Sequence, residues 1–382
     1  MTSNTTEPWW MQWNPDNVTI SDDSVPDSWK ICAINGVYFG GNEYSGSLGA
    51  RISSVFVIFF VSTFFTLFPV IAARVKSLKV PQYVYLIARY FGTGVIVATA
   101  FIHLLDPAYG EIGGDSCVGL TGNWADYSWC PAIVLVTVFS IFIVDLISDV
   151  YVQRRFGVQH DHGDIIHDAI VRNQRRADIE NDGHTHADDG GANGSTGFDD
   201  KSRKSYDVVS SASTEFATQS FESQIGAFFI LEFGVIFHSV MIGLNLGTTD
   251  SEFSTLYPVL VFHQSFEGMG IGSRLSAIEF PKNKRWWPYG LCIAYGLATP
   301  ICVAIGLGVR TTYDGNSFNV NIVSGVLDAV SAGILIYTGL VELLARDFIF
   351  DENRTKDLRK LTFMIICTLF GAGIMALLGK WA

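Results

Sequence analysis

Three of the chain's eight histidines fall inside strongly apolar stretches. His238 and Ser239 sit in FHSVMIGLNLG; His263 and Gln264 sit in VFHQSFEGMGIG, with Glu267 three positions later; His103 sits in AFIHLLDP, followed by Asp106. An imidazole in hydrocarbon is costly, so a polar group there reads as functional unless an interhelical hydrogen bond accounts for it. His263 and Glu267 are four apart, which on a helix gives one face and about 6 Å between Cβ atoms. An imidazole nitrogen and a carboxylate at that spacing can hold one Zn²⁺ with ligand distances near ~2 Å. A second helix presenting His238 at similar depth would add a ligand. Fe²⁺, Co²⁺, Cd²⁺ or Cu²⁺ would bind such a set too. The chain has no HExxH, so the pattern does not indicate a metal-dependent hydrolase, and no enzyme is expected.

The other five histidines are a different material. His160, His162, His167, His184 and His186 lie among aspartates in a stretch rich in Asp, Ser, Gly and Asn. Such a stretch cannot bury enough apolar surface to offset its ordering entropy, so residues 152–223 are expected to be disordered. Flexible ligands gather metal only weakly, because binding must order the backbone. That suits a sensor of excess metal better than a pore. Lys201 and Lys204 lie just beyond and would be open to ubiquitin ligase machinery.

The elements that must position these residues are membrane helices. The chain has 382 residues, of which 49 % are hydrophobic and only 16 % charged. A helix crosses a bilayer with roughly 20 mostly apolar residues. Eight stretches qualify, at about 52–73, 84–105, 131–151, 224–247, 255–278, 288–309, 321–345 and 361–379. The expectation is an all-α membrane protein with a segment 1–51 before the first span, spans 1–3 over 52–151, the His-rich loop 152–223, and spans 4–8 over 224–382. The net charge of −12 excludes a nucleic-acid partner, and no GxxxxGK[ST] suggests ATP hydrolysis. Nothing points to an organic cofactor.

Orientation follows from Lys and Arg. The loops near 74–83, 152–223, 279–287 and 346–360 hold most of them, whereas the other set, with both termini, holds Lys30, Arg51, Arg310 and Lys380. The basic side is cytoplasmic, so both termini are expected outside. Two sequons, Asn4-Thr5-Thr6 and Asn17-Val18-Thr19, fit an external first segment as glycosylation sites. No apolar run begins before residue 52, so no cleavable signal peptide is expected. The loop 106–130 is acidic and carries Cys117 and Cys130, which outside the cytosol are candidates for a disulfide with each other.

With that orientation, His103 and Asp106 are expected at the outer mouth, where an acidic loop concentrates cations. Asp145, Glu232 and Glu342 lie near cytosolic ends of spans and are expected to reach the interface by snorkelling. Asp328 lies in the outer half of its span, with no partner evident from sequence. A divalent cation entering a negative cytosol gains about 4.6 kcal/mol per 100 mV, so import needs no ATP.

HSVMIGLNLG followed by HQSFEGMGIG resembles the signature of the ZIP (zinc-regulated, iron-regulated transporter-like) family. The His-rich loop after the third span and the outward termini match it as well. GGNEYSGSLGARISSVFV, FIHLLDPAYG and LVELLARDFIF are similar to the fungal plasma-membrane high-affinity zinc permeases. The resemblance implies import of Zn²⁺ as transported substrate across the plasma membrane, through a site between spans four and five with His238, His263, Gln264 and Glu267 as ligands. Some members add an acidic ligand four residues after the first histidine; Ile242 stands there, so one dominant metal position is expected. Expected partners are zinc and other divalent cations and the lipid bilayer, and an oligomer is compatible with these spans. A broader Fe²⁺ importer, a metal-sensing receptor and an intramembrane metalloenzyme are the alternatives.

Overall fold

A computed structural model describes residues 8–41, 46–75, 81–156, 201–249, 252–312, 314–350 and 355–381. Among the described residues the chain is helical, without strands. The helices are α1 (Asp27–Ile34), α2 (Leu48–Arg74), α3 (Gln82–Ala98), α4 (Asp106–Ile112), α5 (Trp129–Phe156), α6 (Lys201–Thr248), α7 (Phe253–Ala277), α8 (Trp287–Val309), α9 (Phe318–Tyr337) and α10 (Leu358–Leu378). Thr99–Leu105 winds as a π-helix between α3 and α4, and α9 runs on as a π-helix over Thr338–Phe350. Met1–Asp145 and Ile225–Ala382 form one compact unit, and Leu146–Gln224 a second.

Among the described residues seven helices are long and apolar enough to cross a membrane: Leu48–Arg74, Tyr83–Ile112, Trp129–Ser148, Phe221–Thr248, Lys282–Val309, Phe318–Phe350 and Leu358–Leu378. Each coincides with an expected span to within a few residues at most ends. The expected fifth span forms α7, of 25 residues, but its polar residues keep it out of that set. Phe56, Phe60, Phe64 and Phe68 repeat every four residues on α2, all exposed. Leu135, Phe139 and Ile143 do the same on α5. A continuous exposed apolar stripe is unfavourable in water and matches hydrocarbon.

The helices that carry the site approach closely through glycine. A Cβ on Gly270 of α7 would lie 2.9 Å from the Cα of Gly92 on α3, and one on Gly247 of α6 would lie 2.8 Å from the Cα of Gly306 on α8. Any side chain there would force the backbones apart. Arg51, fully buried, fixes the α6–α7 turn. Its Nη1 donates to the carbonyls of Leu246 and Gly247 at 3.3 Å each, and its guanidinium lies 4.6 Å from the ring centre of Phe253. A cation there satisfies carbonyls left open at a helix C-terminus and complements the dipole. Ile58, Leu246, Leu260 and Val303 close the apolar core around this junction.

The structure corrects two expectations here. Cys117 is bonded to Cys32, not to Cys130, which is a buried free thiol. Val25, Trp29, Cys32, Tyr38 and Cys117 form one apolar cluster, so packing of the first segment onto the 106–130 loop chooses the pair. The second correction concerns residues 201–223, which belong to α6 and are helical. Extending a formed helix adds one hydrogen bond per residue with no new nucleus, which offsets a polar composition. The loop histidines His160, His162, His167, His184 and His186 lie outside the described residues, as does Asn4; Lys201 and Lys204 lie on α6, with undescribed side chains. Asn17 is exposed in a short 3₁₀ turn.

Candidate metal centre

α6 and α7 place their polar residues against each other, away from the apolar exterior. His238 is 1 % exposed, His263 1 % and Glu267 fully buried. The Nε2 atoms of His238 and His263 are 3.3 Å apart, and His263 Nε2 is 3.6 Å from Glu267 Oε2. One ligand atom from each of the three residues falls within 4.8 Å of the other two. Two nitrogens each about 2.05 Å from a common ion and 3.3 Å apart subtend about 107°, close to tetrahedral. The expected pairing of His263 with Glu267 along one face and His238 across from it is what the geometry brings together.

A shell of neutral donors surrounds the carboxylate. Tyr295 Oη on α8 donates to Glu267 Oε2 at 3.2 Å, and Gln264 Nε2 donates to the same oxygen at 3.3 Å. Gln264 Oε1 accepts from Ser62 Oγ on α2 and from Tyr295 Oη, both at 3.4 Å. Gln264 therefore orients the acid through its amide nitrogen and is itself fixed from two helices. Glu267 Oε1 is buried with no hydrogen-bond partner. A fully buried, unpaired carboxylate oxygen beside two imidazoles is expensive to keep, unless something positive completes it. Ser239 is also fully buried, and its Oγ has no hydrogen-bond partner. Ile242 packs against the apolar core, so α6 offers no carboxylate one turn beyond His238.

His103 differs from its expected place at the mouth. It is 7 % exposed, its ring centre is 4.9 Å from that of His263 and 6.4 Å from that of His238, and its Nε2 lies 3.1 Å from the Met375 carbonyl on α10. It lies on the π-helical turn Thr99–Leu105. Pro107 follows at the start of α4; its ring excludes the carbonyl of residue 103 from regular α-helical bonding, a local cause for a π turn. Asp106, three residues on, is exposed. Sequence reasoning missed Tyr295 and Ser62 altogether. A tyrosine in the middle of the apolar stretch GLCIAYGLATP was the one signal available.

Of the carboxylates expected to snorkel, Glu232 departs most: it is 8 % exposed, with Oε2 unpartnered. Asp145 accepts from Tyr337 Oη at 2.8 Å, and Glu342 pairs with Arg346 at 2.6 Å, so both are held by neighbours. Asp328 is buried on α9.

The family model described as "ZIP Zinc transporter" matches residues 48–379. The chain is 65 % identical over 381 residues to Zinc-regulated transporter 1 of Saccharomyces cerevisiae, covering all of both chains. It is 39 % identical to Zinc-regulated transporter 1 of Schizosaccharomyces pombe, over 89 % of this chain and 87 % of that one. Zinc-regulated transporter 2 of Saccharomyces cerevisiae is 36 % identical, with 89 % and 96 % covered. No solved structure matches.

Proposed function

The chain belongs to the ZIP zinc transporter family, and from that premise we propose that it imports Zn²⁺ through a position held by His238, His263 and Glu267. The observation that carries the reading is the buried triad beside an unsatisfied carboxylate oxygen. Both imidazoles would give a nitrogen lone pair to the ion, the carboxylate supplies charge, and Gln264 and Tyr295 hold that carboxylate in place. His103 stands next to the triad and would receive or release the ion on the outer side, with Asp106 the exposed group that captures it. Ser239 offers a neutral oxygen beside His238.

Eight spans fit this reading, with α7 as the fifth. A helix whose polar face is buried among α2, α3 and α8 need not be apolar all round to cross a bilayer. Both termini then lie outside. The Cys32–Cys117 disulfide supports this, since it ties the first segment to the 106–130 loop in a chain whose other cysteines are free thiols, and disulfides persist on the oxidising side of a membrane. The exposed Asn17 sequon is compatible with the same side. A plasma-membrane location follows from uptake by a cell.

The test is uptake of radioactive zinc in cells with this chain as sole importer. His263→Ala at normal surface abundance should reduce uptake to that of cells lacking the protein; wild-type uptake would remove the site. The stretch 152–223 that carries His160, His162, His167, His184 and His186 we take as a regulator outside the pore. A variant with its five histidines changed to Ala should keep initial uptake and leave the surface more slowly after a zinc pulse. Collapse of uptake would put the loop in the ion's path, and unchanged removal would end the sensor reading.

A further inference from the structure

The connection between α7 and α8 ends in Lys282, Asn283, Lys284, Arg285, Trp286 and Trp287, three cations and two tryptophans in six residues. Lys282–Lys284 winds as one 3₁₀ turn, closed by the Lys284 N–H donating to the Pro281 carbonyl at 2.9 Å. Arg74, at the end of α2, braces it. Its Nη1 donates to the Arg285 carbonyl at 3.0 Å, and its guanidinium lies 5.5 Å from the ring centre of Phe280 and 5.4 Å from that of Tyr289. The cations are therefore carried on a fixed turn tied to a second helix.

The outward face of this turn joins charge to apolar surface. Trp286 is 72 % exposed and Trp287 44 %, and the Lys284 ammonium lies 4.6 Å from the ring centre of Trp287. Lys282 and Arg285 are exposed, and among the described residues neither forms an ion pair. Glu279, also exposed, is the one acid between α7 and α8, so the connection stays positive. Gly290, Ile293, Leu297 and Ile301 then run down one exposed face of α8. A Cβ at Gly290 would meet nothing within 4 Å, which leaves a notch between the tryptophans and that stripe. Tryptophans settle at the headgroup level of a bilayer, which sets the cations at phosphate depth and the stripe among acyl chains.

We infer that this turn is a binding site for one anionic phospholipid, its headgroup held by Lys282, Lys284 and Arg285 and an acyl chain lying along Gly290, Ile293 and Leu297. Arg285 can grip a phosphate through two N–H groups, and the lysines act as point charges. A zwitterionic headgroup carries its own cation and gains less from three more. Under the orientation proposed above, the turn faces the cytoplasmic leaflet, where anionic phospholipids concentrate. The lipid would sit on the connection between α7, which carries His263 and Glu267, and α8, which carries Tyr295.

The test is photo-crosslinking of the full-length chain in vesicles, with a photoactivatable acyl chain on phosphatidylserine or on phosphatidylcholine and the labelled residues mapped by mass spectrometry. Both leaflets have one composition, so the result depends neither on orientation nor on zinc transport. Phosphatidylserine should label the 290–301 face of wild type about five-fold more than phosphatidylcholine, the worth of one engaged cation at a membrane surface. Changing Lys282, Lys284 and Arg285 together to Gln should bring the two lipids to parity, while phosphatidylcholine labelling of the same face stays as in wild type and shows α8 in place. Changing Lys356, Arg359 and Lys360 to Gln removes the same charge from the connection before α10 and should leave the preference standing. Equal labelling by both lipids in wild type, or a preference that survives loss of Lys282, Lys284 and Arg285, overturns the site. An equal loss in the two triple variants also overturns it, since the preference would then belong to the total surface charge. Glycerophosphoserine at matched ionic strength should not compete; if it does, the turn takes a soluble phosphate and not a lipid.

Discussion

Two buried charged clusters in this bundle are built in opposite ways. Asp347 in the π-segment after α9 is closed on all sides: Arg89 Nη2 on α3 donates to Oδ1 at 2.7 Å and Arg89 Nε to Oδ2 at 3.1 Å, while Arg274 Nη2 on α7 reaches Oδ2 at 3.3 Å. Arg274 also donates to Thr93 Oγ1 at 2.7 Å, and Arg274 Nε is the one buried atom of the group without a partner. Charge there is met by charge from the protein. The His238–His263–Glu267 group has no Lys or Arg, and one carboxylate oxygen faces no donor. Burying charge costs several kcal/mol per ion unless geometry repays it. The first cluster repays it within the fold and ties three helices together. In the second the compensation would come from the cation proposed to pass there.

That difference gives the largest expected effect. Removing Glu267 as Glu267→Gln should abolish uptake and yet leave the metal-free protein at least as stable as wild type, because an uncompensated buried charge is gone. Zinc at a hundredfold over its Kd should stabilise wild type by about 2.7 kcal/mol and this variant by nearly nothing. Thermal unfolding in detergent, with and without zinc or after chelation, measures both. A variant much less stable than wild type without metal would mean that Glu267 is structural, and the contrast between the clusters would collapse.

Asp347→Asn tests the other side. Removing the carboxylate leaves the Arg274 guanidinium without its charge partner while the partly exposed Arg89 turns to solvent, at a cost of about 1–3 kcal/mol. Surface abundance and thermal stability should both drop, while uptake per surface molecule stays within about two-fold of wild type. A stable Asp347→Asn protein with no transport would turn this cluster from a brace into part of the path.

Much of this was legible in the sequence, for reasons that differ by region. Apolar runs as long as Leu48–Arg74 or Leu358–Leu378 announce themselves, because hydropathy over 20 residues is a strong signal. The triad was legible because His263 and Glu267 obey one helical period and His238 lies in the adjoining span. His103 was read as an end-of-span residue, and its closeness to His263 could not be seen, because it lies on a π turn, Thr99–Leu105, outside the regular helical period. Cys117 was set against Cys130 because both lie in the 106–130 loop, whereas Cys32 is brought near by packing of α1. Glu232 looked like an end-of-span residue because sequence cannot tell depth from direction.

Tyr295 should show an intermediate effect. Its hydroxyl serves both Glu267 and Gln264, so Tyr295→Phe removes two hydrogen bonds and leaves the ring packing. Partners that orient a metal ligand are worth about 10–100-fold in affinity. Tyr295→Phe should weaken zinc binding by about ten-fold, with stability near wild type, as read by dialysis and thermal unfolding. Unchanged affinity would show that Gln264 alone holds the carboxylate.

The smallest effect belongs to Asp106. It begins α4 just after the π turn that carries His103, and it is exposed while His103 is buried. An exposed carboxylate acts on a cation mainly through the local potential, which raises encounter frequency and is screened by salt over about 8–10 Å. It makes no contact that must form or break as the ion moves between the histidines. Asp106→Asn should therefore raise the KM for zinc a few-fold and leave the maximal rate nearly unchanged, and the difference from wild type should shrink as ionic strength rises. Uptake kinetics at two salt concentrations measure this. If the maximal rate falls and KM does not, Asp106 acts after capture, and the boundary between the exposed mouth and the buried triad must be drawn further out than His103.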